Sequence, residues 1–157
     1  MSVQRSGTGE HLPENLREIV DDFAAIEDAQ KLQLLLEFAN ELPELPEHYT
    51  DHPELLEPVP ECQSPIFVIT EVEPGESAGD RVVRLHFSAP AEAPTTRGFA
   101  GILHEGLDGQ TVDTVLSVLA DDLGMRLSLT DSVSPLRLRG LSGMLSRIQR
   151  QVHEKSR

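Results

Sequence analysis

Ile66-Phe67-Val68-Ile69 and Val82-Val83-Arg84-Leu85-His86-Phe87 are the stretches whose reading decides the fold. Both are dense in β-branched and aromatic residues, which suit a pleated, half-buried surface. Pro74-Gly75-Glu76-Ser77-Ala78-Gly79 between them is rich in turn formers, so the pair predicts an antiparallel hairpin. Helical spacing takes over on either side. Upstream, Pro13 suits a first helical turn, and Leu16, Ile19, Val20 and Phe23 form one apolar stripe. A second helix is expected from Asp28 to Leu42, with Leu32, Leu35, Leu36 and Ala39 sharing a face and Pro43 and Pro46 ending it. Downstream, Phe99, Ile102 and Leu103 mark a short helix that stops near Gly106. Thr111 caps the next, with stripe Val112, Val115, Leu116 and Leu119 and Gly124 just past its end. Ser134-Pro135 opens a last helix presenting Leu138, Leu141, Leu145, Ile148 and Val152. The order α-α-β-β-α-α-α predicts an α+β fold, one small antiparallel sheet flanked by helices.

The 157 residues, 38% of them hydrophobic, suit a single domain. Residues 1–11 are expected as a disordered lead, 12–153 as the domain and 154–157 as a tail. A formal net charge of −14 repels phosphate backbones and anionic lipid, which argues against nucleic-acid and membrane-surface binding. No apolar run approaches the roughly 20 residues that span a bilayer, and the polar opening does not read as a signal peptide. A cytoplasmic protein is the expectation. One cysteine excludes an intramolecular disulfide and a Cys-rich metal or cluster site within a single chain.

That cysteine is Cys62. It follows Pro43 to Glu61, a stretch carrying five prolines among many carboxylates, which is expected to run extended over the surface. A lone cysteine is more often a buried small hydrophobe than a nucleophile. Cys62, however, lies outside any apolar stripe, at the junction of a loop and a strand, where reactive groups are commonly displayed. Adjacent Glu61 and the acidic loop oppose thiolate formation. Such a thiol rests protonated and reacts when a partner supplies positive charge, which suits a carrier better than a stand-alone hydrolase.

Leu42-Pro43-Glu44-Leu45, then Cys62-Gln63-Ser64 leading into an apolar strand, resembles the SufE family of sulfur-acceptor proteins. Arg97-Gly98 opening a helix agrees, as does Ser134-Pro135-Leu136-Arg137 followed by Gly140-Leu141 and Met144. These motifs lie in the family's order over roughly Pro13 to Val152. The resemblance implies a fold similar to that of iron–sulfur scaffold proteins. It also implies that Cys62 takes the terminal sulfur of a persulfide from a cysteine desulfurase (SufS-like), stimulates that enzyme, and passes sulfur to an iron–sulfur scaffold protein. Pyridoxal phosphate would then belong to the desulfurase, this chain binding no cofactor and having no turnover of its own. By position, Arg137 matches an arginine near the family's partner-contact surface, and Glu92 an acidic residue in a loop close to the cysteine loop; a homodimer is left open. Three positions depart from the pattern: Glu61 replaces a glycine, Pro90-Ala91-Glu92-Ala93 replaces an Asp-Ser-Asp-like loop, and Phe67 replaces a strand Trp.

Blander readings stand beside these. His48 and His52 with Cys62 could be pictured as metal ligands, but as ordinary surface histidines they need no metal. Cys62 with His86 or His104 could mimic a nucleophile pair, although no oxyanion-hole motif accompanies it. Arg137, Arg139, Arg147 and Arg150 also complement the dipole of the last helix. Three functions remain open: a persulfide carrier, an allosteric desulfurase-binding regulator without sulfur transfer, and a stand-alone Cys-dependent enzyme.

Overall fold

A computed structural model describes residues 12–157; the expected disordered lead lies outside them. The hairpin forms as anticipated, with β2 (Phe67–Val72) antiparallel to β3 (Val83–Ser88) in the register Val68↔Phe87 and Thr70↔Leu85. Val68, Thr70, Val83, Leu85 and Phe87 turn inward and are buried, the period of two expected of a sheet with one covered face. A two-residue β1 (Glu57–Pro58) pairs antiparallel with β2, so the sheet has three strands in the order β1-β2-β3. Proline is tolerated there because β1 is an edge strand.

Helices α4 (Pro94–Leu107) and α7 (Pro135–Lys155) cover the inner face; α1 (Glu14–Ala24) and α2 (Asp28–Glu41) pack on α4, and α5 (Val112–Ser117) and the single turn α6 (Leu123–Arg126) pack on α7. Ser134 caps α7 by accepting from the Arg137 amide, and Thr111 caps α5 by accepting from the Thr114 amide. The α2–α4 crossing is close because Gly98 and Gly101 lie in it. A Cβ on Gly101 would stand 2.2 Å from the Phe38 carbonyl oxygen, nearer than atoms approach. Arg97 stitches the same corner, donating from Nε to the Ala39 carbonyl at 2.8 Å and from Nη1 to the Ala89 carbonyl at 2.6 Å. The Arg97-Gly98 motif is thus accounted for by packing. No described helix is long and apolar enough to cross a membrane.

Several expectations are corrected. The stretch between Pro43 and Glu61 is not simply extended: it folds α3 (Glu47–Thr50), a 3-10 turn over Pro53–Leu55, then β1 and a second 3-10 turn over Pro60–Cys62. Proline's fixed φ suits the first position of such short turns, and three of these elements begin at or just after one. In α2 the buried face is Lys31, Leu35, Phe38 and Ala39, leaving Leu32 46% and Leu36 40% exposed. The helix has more apolar residues than one face can bury. Leu116 in α5 likewise stays exposed, Leu119 lies past the end of that helix at Ser117 and is exposed too, and Gly124 sits inside α6, not past a helix end. The last helix continues beyond residue 153 to Lys155, with Ser156 buried.

Candidate functional site

Cys62 closes the 3-10 turn at Pro60–Cys62, its amide donating to the Val59 carbonyl at 3.1 Å. Gln63 follows in the left-handed region, with φ 56° and ψ 21°. For a non-glycine residue that conformation costs on the order of 1 kcal/mol and persists only where its surroundings enforce it. The reversal lets the chain leave the turn at Cys62 and enter β2 five residues later, at Phe67, with the sulfur facing α7.

Cys62 is 8% exposed. Its Sγ donates to the Gly140 carbonyl at 3.8 Å, and a Cβ on Gly140 would lie only 3.0 Å from that sulfur. Gly140, the first glycine of α7, is what allows the turn to seat this closely. Burial pushes the Cys62 thiol up to about 12; the Glu61 carboxylate pushes the same way, and Arg147 pulls weakly back. A neutral thiol donating to a carbonyl is therefore the resting state, in line with the acidic sequence around it.

Outside the sulfur lies a polar cavity of about 220 Å³, lined by Glu61, Cys62, Gln63, Ser64, Thr96, Ser134, Leu136 and Arg137. Three chain regions meet there: the cysteine turn, the first turn of α4 and the first turn of α7. Arg137, which the resemblance places near a partner-contact surface, lines this cavity together with Cys62. Glu92 is exposed in the turn preceding α4 and does not line the cavity, although Thr96 of the adjoining helix does. No histidine lines it. His48 packs at a tilt against Tyr49 with ring centroids 4.1 Å apart, and the Tyr49 hydroxyl donates to Glu71 at 2.5 Å. His86 meets the same carboxylate at 3.3 Å, His52 meets Glu54, and His104 lies 3.9 Å from Asp108. The first group ties α3 to the sheet. Among the described residues no group of three His, Cys, Asp or Glu side chains could hold a metal ion.

Sequence reading passed over Gly143 and took Arg147 only as a complement to the dipole of the last helix. Gly143 receives the Glu61 stem, and Arg147 faces the Glu61 carboxylate at 3.2 Å. The signal was present as Gly140, Gly143 and Arg147 at helical spacing, beside the leucine stripe of the last helix. It also explains the missing glycine before Cys62: the close approach is made by Gly143 on the opposite surface, and Glu61 needs no positive φ.

The family model for SufE, the Fe-S metabolism associated domain, matches residues 17–152. An uncharacterized SufE-like protein of Mycobacterium tuberculosis is 53% identical over 143 residues, covering 91% of this chain and 94% of that one. SufE-like protein 1 of Arabidopsis thaliana, described as chloroplastic/mitochondrial, is 27% identical over 91% of this chain and 36% of its own length. The solution structure of a hypothetical protein from Thermus thermophilus superposes with a TM-score of 0.74 at 36% identity, covering 92% of this chain and 97% of that one.

Proposed function

The chain belongs to the SufE family, whose role lies in Fe–S metabolism, and from that premise we propose that Cys62 accepts sulfur from a cysteine desulfurase and carries it as a persulfide. The observation that carries this reading is the lone cysteine docked in a neutral state at the floor of a polar cavity beside Arg137. A hydrolytic nucleophile needs a base within reach, and no histidine lines this cavity. A carrier needs only access and a partner that brings the reacting sulfur.

The transfer balances without an outside oxidant. The Cys62 thiol loses its proton and its sulfur attacks the terminal sulfur of the desulfurase persulfide. One S–S bond forms on Cys62, one breaks in the desulfurase, and the departing desulfurase cysteine takes the electron pair and then a proton. Pyridoxal phosphate stays in the desulfurase, and this chain has no turnover alone. An iron–sulfur scaffold protein receives the sulfur next. The single thiol suits a reducing compartment such as the cytoplasm.

The burial of Cys62 favours a second reading, in which the chain binds and stimulates the desulfurase while no sulfur passes through the thiol. Intact mass measured without reductant separates the two. Mixing with an active cognate desulfurase and cysteine should add one sulfur, about 32 Da, to the peptide holding Cys62 in a thiol-exchange reaction reversed by reductant. Cys62→Ser should lose both the adduct and the stimulation. Stimulation retained by folded Cys62→Ser, with no adduct on the wild type, would establish the allosteric reading instead. Arg137→Glu and Glu92→Lys should keep the fold and weaken transfer.

A further inference from the structure

The turn carrying Cys62 lies along one face of α7. Gly140 takes the sulfur, Gly143 takes the Glu61 stem at 3.0 Å from a hypothetical Cβ, and Arg147 closes the track. Arg147 Nε donates to the Pro58 carbonyl at 3.1 Å and stands 3.6 Å from Glu57, while its Nη2 stands 3.2 Å from Glu61 Oε1. One guanidinium therefore reaches both ends of the segment from β1 to the cysteine. Glu61 Oε1 is buried and accepts no aligned hydrogen bond, so what compensates it is the nearby charge of Arg147. The Glu61 side chain is 38% exposed overall, so the pair is a half-exposed one in which the buried Oε1 has Arg147 as its facing cation.

We propose that Arg147 is a positioning residue for sulfur acceptance: with Glu61 it latches the cysteine turn onto α7 and keeps Cys62 withdrawn until the pair is separated. The proposal rests on the sulfur-acceptor reading. The charged groups facing Cys62 are Glu61 on its own turn, Arg147 in mid-α7 and Arg137 in the first turn of α7; α4 contributes uncharged Thr96. Asp121 and Arg139 border the neighbouring cavity on the far side of Glu61. Moving Arg147 away takes the facing cation from Glu61 and the donor from the Pro58 carbonyl together, so the turn loses its tie to α7 and the thiol is released with it. The complementary signal is a basic side chain on the partner, which a surface of this net charge attracts.

The test needs no desulfurase, so its failure is distinct from a failure of sulfur transfer. On the full chain, alkylation of Cys62 at neutral pH and hydrogen exchange of the Cys62 and Gln63 amides are followed in Arg147→Met, Glu61→Gln and the double variant. Arg147→Met removes the pair and should speed both alkylation and exchange about fivefold, the upper end for a half-exposed ion pair. Glu61→Gln removes the same pair and also the charge opposing the thiolate, so exchange should quicken and alkylation rise further. The double variant should exchange no faster than Arg147→Met, because the same pair is lost in each. Slow exchange in Glu61→Gln would mean that Arg147 acts by packing alone, and wild-type behaviour in Arg147→Met would mean that no latch exists. Should Arg147→Met not fold, Glu61→Arg decides, since it sets two cations against each other; a turn that stays closed in that variant overturns the proposal.

Discussion

Gly140→Ala sets two effects of known size against each other. Alanine in a helix interior is favoured over glycine by about 1 kcal/mol. Against this, the new methyl would lie 3.0 Å from Cys62 Sγ and 3.4 Å from its Cα, closer than the roughly 3.5–4.0 Å at which non-bonded heavy atoms rest. Overpacking of this kind costs about 1–3 kcal/mol. The cysteine turn is held at both ends, by β1 and by β2, so the sulfur cannot simply swing clear. The net change should be a loss of about 0–2 kcal/mol, a fall in Tm of up to roughly 8 °C for a chain of this length. Gly101→Ala supplies the upper reference, because its methyl would meet backbone, the Phe38 carbonyl oxygen at 2.2 Å. Helices α2 and α4 would have to part, at about 3 kcal/mol or more. Gly124→Ala supplies the lower one, since its nearest neighbour at 3.2 Å is the far end of the Leu138 side chain. Thermal unfolding should therefore rank Gly101→Ala below Gly140→Ala and Gly140→Ala below Gly124→Ala. Thiol titration should find Cys62 more reactive in Gly140→Ala alone. A Gly140→Ala protein that gains the full helix-propensity increment while its thiol stays as slow as wild type would refute the contact on which the site is built.

Two further outcomes follow from the same geometry. Because burial and Glu61 raise the folded-state pKa of Cys62, its alkylation rate should keep climbing past pH 10, where an ordinary thiol of pKa about 8.5 has already levelled off. The linked stability is fully present below the unfolded-state pKa and is lost as pH rises from about 9 toward 12; Cys62→Ala should lack that alkaline loss, and an equal loss in both proteins would contradict the assignment. Gln151 is buried between α7 and the sheet: the Thr70 amide and hydroxyl donate to its Oε1 at 2.8 and 3.0 Å, and its Nε2 donates to Glu57 at 2.8 Å. Gln151→Leu leaves the Thr70 amide unpaired in an apolar setting, so a loss of about 2 kcal/mol should appear in denaturant unfolding, and an unchanged midpoint would count against that role.

The hairpin, the helix stripes and the cap of the last helix were legible in the sequence because each depends on residues a few positions apart. Val68, Leu85 and Phe87 alternate, Leu141, Leu145 and Ile148 recur at helical spacing, and Ser134-Pro135 opens α7 by local hydrogen bonding and a fixed φ. The acidic, protonated character of Cys62 was legible too, since Glu61 is its covalent neighbour. The two-residue β1 escaped, because a strand that short exists only when β2 is beside it to accept the pairing. Which leucines of α2 are buried also escaped: Leu32 and Leu36 share a helical stripe with Leu35, and the choice belongs to α4, whose Gly98 and Gly101 admit Leu35 and Phe38. The candidate site divides in the same way. Sequence named Cys62 and, through resemblance, placed Arg137 near the partner-contact surface. The contacts of Gly140, Gly143 and Arg147 acquire meaning only when α7 is laid against a turn far earlier in the chain, 78 residues before it for the Cys62–Gly140 pair. Close approach between distant segments is a property of two surfaces at once, and a single stretch of sequence records only one of them.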